Sequence, residues 1–137
     1  MSINKVIMNT DGAARGNPGP GAIGVIIKDE AGLILEKISQ RLGVTTNNQA
    51  EYQAIIIGLE KAIEFGAKNA VVKSDSELVV EQINGRYKIK NTSLRPLYQK
   101  VVQLTGSLES FSISYVPREQ NAAADALANK ALDNSNH

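Results

Sequence analysis

The stretch 9-NTDGAARGNPGPGAIGVII-27 sets Asp11 directly behind the weakly alternating apolar run 3-INKVIMNT-10 and directly ahead of a turn rich in glycine and proline. An aspartate at such a position has a local explanation, because its side chain bonds nearby backbone in turns. The apolar run that follows, residues 21–28, reads as a second strand. Residues 33–41 read as a third, joined to it by the hairpin signal Asp29–Gly32. The chain is thus expected to open with hairpin-linked strands, the first of which ends on a bare carboxylate.

Downstream, 47-NNQAEYQAIIIGLEKAIEFG-66 predicts a helix, with Asn47 or Asn48 as its cap and Gly66 as its stop. Residues 70–74 predict a short strand, followed by a helix from about Asp75 to Asn84. Residues 86–93 read as irregular, 94–106 as helix, 111–116 as strand and 119–132 as an alanine-rich helix. The order βββαβααβα implies an α/β fold with a five-stranded mixed sheet and helices on both faces. At 137 residues the chain fits one domain, 1–137, with 133–137 expected as a disordered tail.

Composition is ordinary for a globular chain, 42% hydrophobic and 21% charged, and the net charge is only +1. A polyanion would therefore have to be held by a local patch or through metal ions. There are no cysteines, which excludes disulfides and thiolate metal sites. The lone histidine is His137 at the chain end, which argues against histidine zinc sites and Ser-His or Cys-His catalysis. No apolar run approaches a membrane span and no signal peptide is visible, so a cytoplasmic monomer without membrane attachment is expected.

Four carboxylates stand out against this background. On the long helix, Ala54, Ile55, Gly58, Leu59, Ala62 and Ile63 form one apolar face, and extending it back a turn reaches Glu51. A carboxylate on a buried edge is costly unless it is paired or holds a cation; the alternative is a first-turn glutamate favoured by the helix dipole. Asp75 follows a strand and opens a helix, as an N-cap would. Asp125 sits at the boundary of the terminal helix's apolar face, where a solvated charge is the plain alternative. If the strands before Asp11 and Asp75 are parallel neighbours, both carboxylates converge at the carboxyl edge of the sheet, where ligands gather. Four such groups cannot all stay ionised together without a cation. Oxygen-only donors suit magnesium or manganese, and two ions about 4 Å apart suit in-line phosphoryl displacement.

Around these residues the chain resembles the type 1 ribonuclease H family over residues 3–132. The matching pieces are TDGAARGNPGPGAIG at Asp11, TTNNQAEYQA at Glu51, SDSELV at Asp75 and VPREQNAAADALAN at Asp125. The resemblance implies a sheet whose first strand is central and pairs with the fourth. It implies hydrolysis of the RNA strand of an RNA–DNA hybrid with two Mg²⁺ ions, Mn²⁺ being a substitute, leaving 5′-phosphate and 3′-hydroxyl ends. Asp11, Glu51, Asp75 and Asp125 become the metal-binding carboxylates, with Asp11 bridging both ions at the end of the central strand. Gly12, Asn17, Asn47 and Asn48 are implied to line the minor groove near the RNA 2′-hydroxyls, and Thr46 and Asn91 to hold a DNA-strand phosphate.

The chain departs from that family's common pattern in two places. Its basic protrusion is reduced to 85-GRYKIKN-91 without tryptophan, and the loop 116-VPREQ-120 carries Arg118 where a histidine is common. Arg118 is therefore expected to act by charge on the phosphate, since a guanidinium does not serve as a base. The run Arg86, Lys88, Lys90, Arg95 and Lys100 contains no acidic residue and reads as a phosphate-binding strip. Two rival readings are a non-catalytic hybrid-binding module and a related-fold nuclease, either an exonuclease or a retroelement-type domain.

Overall fold

The computed structural model describes residues 3–134. Its elements are β1 (Lys5–Ala14), β2 (Gly19–Lys28), β3 (Ile34–Thr45), α1 (Asn47–Glu64), β4 (Asn69–Ser74), α2 (Glu77–Ile83), α3 (Arg95–Thr105), β5 (Ser110–Tyr115) and α4 (Ala122–Asp133). The element order is the expected one. The sheet runs β3-β2-β1-β4-β5, with β1 antiparallel to β2 and parallel to β4, and β4 parallel to β5. The first strand is central and its parallel neighbour is the fourth.

Alternation along the central strands divides the sheet into two faces. Val6 and Met8 of β1, Ile23, Val25 and Ile27 of β2, and Ala70 and Val72 of β4 turn toward α1 and α3 and form the main core. On the opposite face Ala13 and Ala22 pack against Ala131 and Leu132 of α4. The fit there is close: a side chain at Gly24 would come within 2.0 Å of the Ala124 carbonyl oxygen. α1 buries a wider stripe than the expected face, adding Tyr52 and Ile56, because it packs on the sheet and on α3 together. Tyr52 donates to Gln82 Oε1 at 2.8 Å, which ties α1 to α2 inside the core.

Several local expectations change. β1 does not end at Asp11: pairing with β2 continues through Asp11↔Gly24 to Ala14↔Gly21, and the Arg15 N–H to Pro20 carbonyl bond closes the turn. β3 likewise continues to Thr45. The cap of α1 is Thr46, not Asn47 or Asn48. Thr46 and Gln49 form a reciprocal capping box, which a Thr three residues before a Gln supplies. Gly66 does follow the helix, with φ +83°. Ser76 rather than Asp75 caps α2, accepting from the Val79 N–H at 3.3 Å. The terminal helix is preceded by a 3-10 turn, Arg118–Gln120, and α4 starts at Ala122. Of the expected tail, Asp133 closes α4 and pairs with Arg15. Residues 135–137, including His137, lie outside the described residues.

One buried side-chain polar atom has no hydrogen-bond partner among the described residues. Thr10 Oγ1, beside Asp11 in sequence, is enclosed without a hydrogen bond. An unpaired buried hydroxyl costs stability that an apolar group of the same shape does not. Thr10→Val is therefore expected to raise stability by about 1 kcal/mol, read as a higher melting temperature. A lower melting temperature would mean that the hydroxyl has a partner.

Candidate active site

The site forms where four elements meet at the carboxyl edge of the two central parallel strands. Thr10 and Ser74 are in register, so the residues that follow them, Asp11 and Asp75, emerge side by side. Glu51 comes from the first turns of α1 and projects over β1. Its Oε1 accepts the Gly12 N–H at 2.6 Å. One oxygen each from Asp11, Glu51 and Asp75 lie within 4.8 Å of one another. Asp125 approaches from α4, its Oδ2 accepting from Asn129 at 3.3 Å and its Oδ1 lying 3.8 Å from Arg118 Nη2.

Burial and like charge dominate this corner. Asp11 is 5% exposed and Glu51 9%. Burial first, and then the neighbouring Asp75 and Asp125, raise the Asp11 carboxyl from 3.8 to about 8. Glu51 is also raised, by burial first and then by Asp11 and Asp75, while the Gly12 N–H opposes the shift. Hard oxygen donors that repel one another are the donor set a divalent cation resolves. Arg118 is 80% exposed and offsets only the Asp125 end.

The carboxylates line a cleft of about 320 Å³ together with Gly12, Asn47, Asn48, Ser76, Tyr115 and Arg118. Of the residues expected near an RNA strand, Gly12, Asn47 and Asn48 are thus at the cleft. Asn17 is not; its Oδ1 accepts the Asn47 N–H at 3.0 Å, and Asn47 Oδ1 accepts the Ala14 N–H at 2.9 Å. Those two bonds fasten the glycine-rich turn to the start of α1. Gly12 lies within β1 rather than in a turn, and what comes close to it is the α1 backbone.

A second, less polar groove of about 610 Å³ adjoins the first. Asn48 lines both, and Leu78, Tyr87, Lys88, Lys90 and Asn91 line the groove. Asn91 is held in a tight turn, accepting from the Ser93 N–H and Oγ at 2.9 and 2.7 Å. Thr46 lines neither cleft, its Oγ1 being engaged in the capping box. The basic strip is narrower than its sequence suggests, because Arg86 pairs with Glu81 at 2.8 Å.

Neither Ser76 and Tyr115, which line the cleft, nor the buried Asn121 is singled out by the sequence. Tyr115 ends β5 in register with Ser74, one strand over from Asp75, and is 49% exposed. Its position at the carboxyl end of a parallel strand was the available sign. Asn121 is buried beneath the start of α4. It falls inside the helix expected over residues 119–132, where no local pattern sets it apart.

Residues 9–131 match the family described as Reverse transcriptase-like. The chain is 42% identical over 130 residues to a bifunctional protein of Mycobacterium tuberculosis, covering 94% of this chain and 36% of that protein. It is 42% identical over 126 residues to Ribonuclease HI of Halobacterium salinarum, covering 91% of this chain and 63% of that protein. The chain therefore spans only part of the length of these relatives. The crystal structure of the halobacterial RNase H1 superposes with a TM-score of 0.94 at 40% identity, covering 96% of this chain and 100% of the other. LC11-RNase H1, solved in complex with an RNA/DNA hybrid, gives 0.90 at 43% identity, covering 95% and 98%.

Proposed function

Because the chain belongs to the type 1 ribonuclease H family, we propose that it is a divalent-metal-dependent endonuclease that cuts the RNA strand of RNA–DNA hybrids. The observation that carries this reading is the convergence of Asp11, Glu51 and Asp75 within 4.8 Å from three separate elements, with Asp125 arriving from a fourth. A protein that only bound a polyanion would gain nothing from gathering buried negative charge at its binding face.

In this reading Asp11, Glu51, Asp75 and Asp125 hold two Mg²⁺ ions, for which Mn²⁺ substitutes. Once bound, the metal supplies charge neutralisation and Lewis acidity for displacement at a phosphodiester. The chain's own groups orient the reaction. Gly12 fixes Glu51 through its N–H, and Asn129 steadies Asp125. Arg118 stands at the open side of the cleft and draws the scissile or departing phosphate by charge. Gly12, Asn47 and Asn48 face the RNA strand, where a side-chain amide reads the 2′-hydroxyl that DNA lacks. Lys88, Lys90 and Asn91 hold phosphates of the other strand along the adjoining groove, with Thr46 and Asn17 supporting the start of α1. The products carry 5′-phosphate and 3′-hydroxyl ends. The proposed setting is the cytoplasm, with residues 1–137 forming one catalytic domain that acts as a monomer.

The purified chain, incubated with Mg²⁺ or Mn²⁺, should cut internally labelled RNA within a hybrid and leave double-stranded RNA, double-stranded DNA and single-stranded RNA intact. Binding without cleavage would favour the non-catalytic module, and stepwise loss from one end would favour an exonuclease.

The groove gives a prediction of its own. Replacing Lys88 and Lys90 together with alanine should raise KM more than it lowers kcat, and should flatten the salt dependence of KM by about one to two phosphate contacts. A double variant that matches the parent at low salt would make the two lysines ordinary surface charges.

A further inference from the structure

Asn121 stands immediately before α4, a position from which an asparagine ordinarily caps its own helix. Here it makes no side-chain cap bond to α4. It is 1% exposed and reaches across to the central strand instead. Its Nδ2 donates to the Thr10 carbonyl at 2.9 Å, and its Oδ1 accepts from Asn9 Nδ2 at 3.0 Å. Its backbone carbonyl meanwhile accepts the Asp125 N–H at 3.1 Å. One residue thus links the backbone just before Asp11 to the backbone of Asp125.

α4 is also held elsewhere. Gly24 of β2 admits Ala124 of the first turn and Leu127 of the middle, and Ser39 Oγ of β3 donates to the Leu127 carbonyl at 2.6 Å. The far end of α4 is fixed by Ala131 and Leu132 in the second core and by the Arg15–Asp133 pair. The first turn, which carries Asp125, gets its polar tie to β1 from Asn121.

We propose that Asn121 is a positioning residue for the cleavage reaction, setting Asp125 against Asp11 through its bonds to Asn9 and Thr10. The proposal rests on the role assigned above to Asp125. A cap bond made within α4 would stabilise the helix alone; a bond to the Thr10 carbonyl fixes the distance between two carboxylates on different elements. Asn121→Asp isolates this link, because it keeps an acceptor for Asn9 and sets a carboxylate oxygen against the Thr10 carbonyl.

The test is a double-mutant cycle between Asn121→Ala and Asp125→Asn, with kcat and KM for hybrid cleavage in Mn²⁺ and melting temperatures with and without Mn²⁺. Asn121→Ala and Asn121→Asp should each lower kcat by about ten- to a hundredfold while KM stays within about twofold. In the Asp125→Asn background the alanine change should cost less than about twofold further, although its effect on metal-free melting is the same in both backgrounds. An equal kcat cost in both backgrounds would overturn the proposal and leave Asn121 a structural residue. The Mn²⁺-induced rise in melting temperature gives a readout that needs no turnover. Asn121→Ala should lose the part of that rise that Asp125→Asn loses, and the double variant should lose no more. An Asn121→Ala protein with the parent's full rise would also overturn it. If the parent binds Mn²⁺ but cuts no hybrid, the proposed activity fails, and the metal-induced rise alone decides the role of Asn121.

Discussion

Asp75→Asn is expected to lower hybrid cleavage by about a thousandfold or more, about 4 kcal/mol of barrier, without lowering the melting temperature measured in chelator. Asp75 supplies one of the three oxygens that lie within 4.8 Å of one another, and asparagine keeps its shape while removing its charge. Asp11→Asn should do the same, with a further signature in pH. Burial first, and then Asp75 and Asp125, raise the Asp11 carboxyl from 3.8 to about 8. An acid whose native value lies above its unfolded one contributes stability that is fully present below the unfolded value and lost as pH rises through the native value. The metal-free parent should therefore melt at progressively lower temperature as pH rises from about 4 to 8. Asp11→Asn should flatten that decline and melt higher than the parent at the alkaline end. Glu51, raised in the same direction, leaves a residual slope in the variant. Adding Mg²⁺ should restore the parent at pH 8 and do less for either variant. Cleavage that survives in either variant, or a lower melting temperature for both in chelator, would make the carboxylates structural.

The sequence made the layout of the site legible because its carriers follow strong periodic segments. β4 is short and apolar, α1 has a clear stripe, and the parallel register of β1 and β4 puts Asp11 and Asp75 together once both strands are recognised. The errors fall where local chemistry competes with long-range pairing. Asp11 looked like a strand end because glycine and proline follow it, yet β2 pairs with β1 as far as Ala14. Asn47 and Asn48 looked like caps by residue type, but Thr46 with Gln49 makes the reciprocal pair. Glu81 neutralises part of the basic strip from the preceding helix, beyond the window in which the strip was read. Asn121 was illegible for a related reason: its partners Asn9 and Thr10 lie more than a hundred residues away, and no local pattern announces a bond of that span.

Gly12→Ala should damage stability and turnover together, because the space a side chain would need is occupied by the backbone of α1. A Cβ at Gly12 would sit 2.2 Å from the Ala50 carbonyl carbon, 2.3 Å from its oxygen and 2.4 Å from the Glu51 nitrogen. Backbone atoms of a helix that also packs on the core and on α3 have no side-chain rotation with which to give way. Relief requires the start of α1 to move off β1 by about 1 Å, and overpacking of this kind costs about 1–3 kcal/mol or more. The same displacement lengthens the 2.6 Å bond from the Gly12 N–H to Glu51 and withdraws that carboxylate from Asp11 and Asp75. It also strains the bond between Ala14 and Asn47, which fastens the glycine-rich turn to α1. A misplacement of about 1 Å is worth roughly a hundredfold in rate, so kcat should fall on that scale and the Mg²⁺-induced rise in melting temperature should shrink with it. Gly43→Ala is the matched control, since a Cβ there meets nothing within 4 Å, and it should behave as the parent. A Gly12→Ala protein with the parent's melting temperature and turnover would mean that α1 can shift without moving Glu51, and would detach this glycine from the assembly of the site.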